Sequence, residues 1–235
     1  MAETAPLVFE EEGWAAGCRH VVGVDEVGYG PLAGPVVVAA VALRRGQSFE
    51  GATDSKRLSA RRREELASRI RSECLACSLA AASSREIERL NVRRATILAM
   101  QRALSRLSFR PDLLLVDGRR APGLGEHRPI IGGDRRSQSI ACASILAKVT
   151  RDRLMRRLGE HYPEYGWASN KGYRTREHLA AIRRFGPTPH HRSTFAGVLQ
   201  IELALSGAGE ARDAAIVSEA EPDRSAARFP AAGEE

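Results

Sequence analysis

Short runs of β-branched and small apolar residues alternate along this chain with longer stretches whose apolar positions return every three or four residues. His20–Asp25 and Pro35–Leu43 are apolar and rich in valine, and Cys74–Ala82 follows the same pattern, so all three read as strands. Asp112–Gly118 is a fourth, short and buried, which ends on an acid. Ser59 caps a helix over Arg61–Glu73 with Leu66 and Ile70 on one face. Ser83-x-x-Glu86 is a capping-box pattern, opening a long helix to about Ser105 that turns Ile87, Leu90, Ile97 and Leu98 inward. Ser137 or Ser139 opens another long helix through about Leu158, and Thr175 caps a shorter one with Leu179 and Ile182. Strands interleaved with helices in this order predict an α/β domain with a mixed sheet.

Beyond about Ser206 the chain turns to Ala, Glu, Gly, Ser and Arg with little periodicity, which predicts disorder. The first dozen residues are expected to be loose as well. With no repeat or linker between them, the expected organisation is a flexible segment over 1–18, one domain over 19–205 and a disordered acidic tail over 206–235. Apolar runs are too short for a membrane span, and the N-terminus lacks the basic-then-apolar pattern of a secretory signal. Cys18, Cys74, Cys77 and Cys142 suit reduced thiols, so a cytoplasmic setting is expected. Cys74-x-x-Cys77 lacks a second pair or a histidine at zinc spacing and reads as ordinary buried cysteines.

Net charge is +7, unevenly placed. The tail from Ser206 holds seven acids and three arginines and the first twenty residues four acids and one arginine, which leaves +14 on residues 21–205. So basic a domain points to a polyanion, although solubility alone is the simpler alternative. Aromatics at 5% are too few for a base-stacking surface, so phosphate contact is the better expectation.

Within that basic domain, acids stand where strands end. Asp25 and Glu26 close the first strand, Asp117 closes the fourth, and Asp134 lies just before a helix. Strand ends carry the sites of α/β folds. Converging carboxylates raise each other's pKa unless cations neutralise them, and hard oxygen ligands select Mg²⁺ or Mn²⁺. Asp134 taken alone reads better as a cap or turn residue, and other acids have ordinary explanations too, Asp54 in a turn and Asp152 on a helix. Gly28, Tyr29 and Gly30 follow the acids directly, stiffened by Pro31 and Pro35. Neither a Walker ending nor a helix follows, so this loop is no nucleotide fingerprint. It is either a plain turn or a bare backbone for close approach of a ligand.

Taken in order, the local motifs resemble bacterial ribonuclease HII over about Val21–Leu205. They are Gly23-Val-Asp-Glu-Val-Gly-x-Gly-Pro-Leu-Ala-Gly-Pro-Val, Asp54-Ser-Lys-x-Leu-Ser59, Val116-Asp-Gly118, Gly133-Asp134 and Ile140 through Asp152. Tyr162-Pro, Lys171-Gly-Tyr-x-Thr175 with His178, and Gly186-Pro-Thr-Pro189 with His191-Arg192 complete the set. The resemblance implies a ribonuclease H-like fold, a five-stranded mixed sheet flanked by helices with a C-terminal helical portion. It implies that Asp25, Glu26, Asp117 and Asp134 hold two divalent cations, Mn²⁺ or Mg²⁺. It implies that the glycine loop (Gly28, Tyr29, Gly30) reads a ribonucleotide 2′-OH through main-chain groups, while Tyr173 packs on the following deoxyribose. The implied substrate is an RNA–DNA hybrid or a DNA duplex with embedded ribonucleotides, nicked on the 5′ side to leave 3′-hydroxyl and 5′-phosphate ends.

Tyr29 departs from the family, which commonly has Arg or Lys there. Lys56, Lys148, Lys171 and Arg192 are candidate phosphate contacts, each alternatively a solvated charge. His178, His190 and His191 are expected to pack or hydrogen-bond rather than bind metal. Because neighbouring side chains of a strand face opposite ways, the first strand is expected to lose regularity at Glu26. The chain is expected to act as a monomer, off the membrane, in ribonucleotide removal. A noncatalytic hybrid-binding protein that kept the fold is the alternative, and the sister ribonuclease HIII is disfavoured by the short stretch before Val21.

Overall fold

A computed structural model describes residues 3–201 and 203–205. The elements run α1 (Val8–Ala15), β1 (Val21–Val27), β2 (Val36–Ala42), α2 (Ala60–Glu73), β3 (Ala76–Ala82), α3 (Ser84–Leu90), α4 (Val92–Ser105), β4 (Leu113–Asp117), β5 (Arg128–Ile130), α5 (Gln138–His161), α6 (Trp167–Asn170) and α7 (Arg176–Phe185). One-turn 3-10 helices stand at Ser55–Arg57, Gly133–Arg135 and Pro163–Tyr165. The sheet order is β3-β2-β1-β4-β5, with β3, β2 and β1 antiparallel and β1, β4 and β5 parallel.

Alternation along the strands fills both faces. Val21, Val37, Ala39, Val41 and Leu115 pack with α2 and α5, while Val22, Val24, Val38, Ala40 and Val116 pack with α3 and α4. All seven residues of β2 are buried, as a two-faced central strand requires. A third cluster, with Leu32, Met155, Tyr165, Trp167, Ile182 and Val198, forms the expected C-terminal helical portion. The helix α5 crosses β1 very closely at Gly23, where a Cβ would stand 2.4 Å from the Ile140 nitrogen. That crossing lies two residues before Asp25 and brings the start of α5 over the carboxyl ends of β1 and β4.

Two expectations need correcting. The long helix from Ser83 is broken at Asn91, whose φ of +64° ends α3 and whose side chain caps α4 by accepting from the Arg94 N–H. Asparagine is among the few non-glycine residues that tolerate positive φ. The N-terminal segment, expected to be loose, forms α1 and is pinned by a fully buried carboxylate. Glu10 Oε1 accepts from Ser137 Oγ at 2.6 Å and from the Ser139 N–H at 2.8 Å, at the start of α5. Ala5 and Trp14 are buried with it. The tail expected to be disordered lies outside the described residues.

Candidate metal centre and nucleic-acid interface

Asp25 and Glu26 sit near the carboxyl end of β1 beside Asp117, the last residue of β4. Contrary to expectation, β1 keeps its antiparallel register through Glu26↔Val38 and Val27↔Val37. No break is needed, because the parallel pairing to β4 stops at Val24↔Val116 and leaves the sheet edge open where the acids lie. At an open end, side chains from both faces can lean over the edge. The Asp25 carboxylate is 6% exposed, accepts the Glu26 N–H at 2.7 Å and is hydrogen-bonded to Ser144 of α5. Ser144 in turn meets Ser55 at 3.0 Å, which ties the 3-10 turn bearing Lys56 to the acid site.

Asp117 is the hub. Its Oδ1 accepts the Gly133 N–H at 2.6 Å, holding the turn that carries Asp134. Asp134 caps nothing: Ser137 is the N-cap of α5. Burial, then the charges of Glu26 and Asp117, hold the Asp25 carboxyl well above the usual carboxylate range. Burial and Asp117 push Glu26 up to about 7. Asp134 is raised by burial, Asp54 and Asp117. Lys56 opposes both of the last two shifts, which places its charge near Glu26 and Asp134.

Four acids at one sheet edge, mutually repelling and short of cations, match a hard divalent ion in donor chemistry and charge. Among the described residues no three His, Cys, Asp or Glu side chains close into a ready-made cage. Small hard cations fit such an edge because they keep water and substrate phosphate oxygens among their ligands.

Beside the acids, two buried arginines hold the glycine loop from behind, and sequence reasoning missed the first of them. Arg151 donates Nε to the Pro35 carbonyl at 2.9 Å, Nη2 to Ala33 at 3.0 Å and Nη1 to Lys171 at 3.0 Å. Arg192 donates to the carbonyls of Gly28 at 2.6 Å, Tyr29 at 2.9 Å and Gly34 at 2.8 Å. Arg192 is 0% exposed, so its predicted phosphate contact is corrected: its donors are spent on the loop's own carbonyls. Lys148 pairs with Asp152 at 2.7 Å, and 17% of its side chain is exposed. Lys171 is half-buried, with its ammonium donating to the Ala168 carbonyl. Tyr29 and Tyr173 are 46% and 43% exposed, available to a ligand. Gly28 has φ +96° and no room for a Cβ, whereas a Cβ at Gly30 would meet nothing within 4 Å.

The histidines behave as expected. Trp167 donates to His178 Nε2 at 2.9 Å, so His178 Nδ1 is the donor to the Tyr173 carbonyl at 2.8 Å. His191 accepts the Thr188 N–H at Nδ1 and faces His178 Nε2 at 3.1 Å. This relay fixes the backbone at Tyr173. Burial, then His178, pushes His191 down to about 3, and burial also lowers His178. With folded values below the unfolded one, the stability these histidines confer is complete above about pH 6.5 and is lost as pH falls toward 3. At pH 5 the loss expected for His191 is about 2 kcal/mol. Urea melts between pH 7.5 and 5 should show it, and His191→Gln should flatten that slope.

A family model described as ribonuclease HII matches residues 22–198. Ribonuclease HII of Coxiella burnetii (strain RSA 493 / Nine Mile phase I) is 53% identical over 186 residues, covering 79% of this chain and 92% of that protein. Ribonuclease HII of Chromohalobacter salexigens is 50% identical over 206 residues, covering 86% of this chain and all of that protein. Among solved structures, ribonuclease H2 from Pyrococcus horikoshii OT3 superposes with a TM-score of 0.68 at 26% identity, over 79% of this chain and 98% of that one.

Proposed function

Because this chain belongs to the ribonuclease HII family and is a ribonuclease H acting on RNA–DNA hybrids, we propose that its substrates include DNA duplexes with single embedded ribonucleotides, nicked on the 5′ side to leave 3′-hydroxyl and 5′-phosphate ends. The observation that carries this reading is the convergence of Asp25, Glu26, Asp117 and Asp134 beside a loop whose backbone is clamped from behind and open in front. These acids would hold two divalent cations, Mg²⁺ or Mn²⁺. When bound, such ions supply an activated water and neutralise charge on the leaving oxygen.

The protein's own groups do the recognising. Main-chain groups of Gly28, Tyr29 and Gly30 meet the 2′-OH, the one local feature separating a ribose from a deoxyribose. Arg151 and Arg192 hold that backbone still, so little ordering is left for binding to impose. The Tyr173 ring takes the neighbouring sugar, its backbone fixed by His178. Lys56 sits beside Glu26 and Asp134 and is the first phosphate contact, with Lys171 a second one. The Tyr29 side chain points into solvent where a cation would add a phosphate contact, so it tunes affinity and leaves recognition to the backbone. Among the described residues no helix is long and apolar enough to cross a membrane. The four cysteines are free, which suits the cytoplasm. The proposed working unit is the monomer.

A DNA duplex with one ribonucleotide tests the reading. One nick 5′ of the ribonucleotide in Mg²⁺ or Mn²⁺ is expected, with none in EDTA and none on all-DNA duplex. Tight binding without a nick would support a noncatalytic hybrid binder instead, and cleavage in EDTA would remove the metal ions from the account.

A further inference from the structure

A cleft of about 360 Å³ opens from the acid site toward α4. Glu26, Asp117 and Tyr29 line it together with Arg93, Arg119 and Arg120. Arg93 stands on the first turn of α4, and Arg119 and Arg120 follow Asp117 and Gly118 on the loop leaving β4. All three arginines are exposed. Among the described residues none of the three has a side-chain hydrogen bond, ion pair or ring contact. Some exposed arginines of this chain are paired, as Arg128 is with Glu12 and Arg153 with Glu64, and others, Arg85 and Arg89 among them, are not; what sets these three apart is that they share one cleft with Glu26 and Asp117.

Nor do these arginines serve the carboxylates. None of the three forms an ion pair or side-chain hydrogen bond with Asp25, Glu26, Asp117 or Asp134. Three like charges around one small cleft repel one another, and folding gains nothing evident from them. A polyanion laid in the cleft reverses that sign. Phosphodiesters are the anions this protein handles, and planar guanidinium groups match their oxygens in geometry.

Lys56 belongs to the other side of the acids, since its turn is tied through Ser55 to Ser144 on α5. Cations therefore flank the carboxylates on both helix layers of the sheet, Lys56 on the α5 side and three arginines on the α4 side. We infer that Arg93, Arg119 and Arg120 form a second phosphate-binding surface, which grips the duplex backbone beyond the cleavage point on the α4 side. The inference rests on the nucleic-acid substrate proposed above, and it adds that productive binding needs duplex on both sides of the ribonucleotide.

The test is steady-state cleavage by the full-length protein and its Arg93→Ala/Arg119→Ala/Arg120→Ala variant. Substrates are single-ribonucleotide duplexes, intact or shortened on one side or the other, across a salt series. The melting temperature should be unchanged, because the three side chains are exposed and unpartnered. On the intact duplex, KM should rise about 10- to 100-fold near physiological salt, with a salt dependence shallower by two to three contacts. kcat at saturating substrate should hold. Shortening one particular side should cost the wild type affinity and cost the variant nothing more, while shortening the other side should weaken both equally. The triple Arg→Lys variant should recover most of the affinity by restoring charge. An unchanged KM and salt slope in the alanine variant would overturn the inference, as would an alanine variant equally sensitive to shortening on either side. Failure of the wild type to cut the intact duplex would overturn the proposed substrate instead.

Discussion

Replacing Asp25 with asparagine is expected to lower cleavage by at least about 10²–10³-fold, the scale on which removal of one preorganised electrostatic group acts. The same change should make the metal-free protein more stable. An amide oxygen still accepts the Glu26 N–H and still meets Ser144, so the local hydrogen bonds survive. The charge does not survive, and charge is the costly part. Burial and the two neighbouring acids raise Asp25, and Glu26 is pushed up to about 7.

A carboxyl whose folded pKa lies above its unfolded value binds an extra proton when folded. For Glu26 the metal-free protein therefore loses stability as pH rises from about 4.5 to about 7. Asp25→Asn removes one source of that repulsion, so its melting temperature at pH 8 without metal should exceed the wild type's by a few degrees. Added Mn²⁺ should reverse the order, because only the wild type gains much from binding the ion. An Asp25 that served only to shape the sheet edge would produce no such crossing. Thermal melts with EDTA and with Mn²⁺ check it.

Gly28→Val carries the second large effect. At φ +96° a β-branched residue is strained, at a cost of about 1–3 kcal/mol. Its Cβ would also stand 2.2 Å from Arg151 Nε and 2.7 Å from the Pro35 carbonyl. Arg151 cannot simply step aside, since its three bonds join Ala33 and Pro35 to Lys171, two residues before Tyr173. Either the loop or the clamp must move, and a displacement of about 1 Å at a positioned site costs about 10²-fold in rate. Gly28→Val is expected to lose both melting temperature and cleavage while Mn²⁺ binding persists. Gly30→Val separates the two causes: with nothing within 4 Å of its Cβ, it should melt like wild type. Any loss of cleavage in that variant reports the approach of the substrate itself. Wild-type cleavage in both variants would end the backbone-reading account.

The four strands with continuous apolar runs were legible because each is five to seven mostly apolar residues bounded by turns. The fifth was not, since Arg128–Ile130 is three residues with a proline in the middle, an edge strand without a pattern of its own. It was expected only from the resemblance. The N-terminal helix was hidden by composition. Glu10–Glu12 reads as a solvated acidic run, and Glu10 is buried because its partners lie 127 and 129 residues away. The acids stood out because carboxylates that end apolar runs break the pattern.

The arginines were harder, because a guanidinium that grips distant backbone carbonyls looks in sequence like one that grips phosphate. Arg192 reaches partners 158 to 164 residues away, and no local spacing records that. Arg93, Arg119 and Arg120 sit in no motif, and only the fold brings α4 beside the loop after β4.

The central claim, that Asp25, Glu26, Asp117 and Asp134 act together as a site for divalent ions, is tested most directly by counting ions. Mn²⁺ is titrated into the full-length protein on a duplex that keeps the single ribonucleotide but carries an uncleavable analogue of the scissile linkage, following the electron paramagnetic resonance signal of free Mn²⁺. Two ions per chain are predicted for the wild type, with at least one lost in Asp25→Asn and in Asp134→Asn. Equal Mn²⁺ binding by all three proteins would contradict the account.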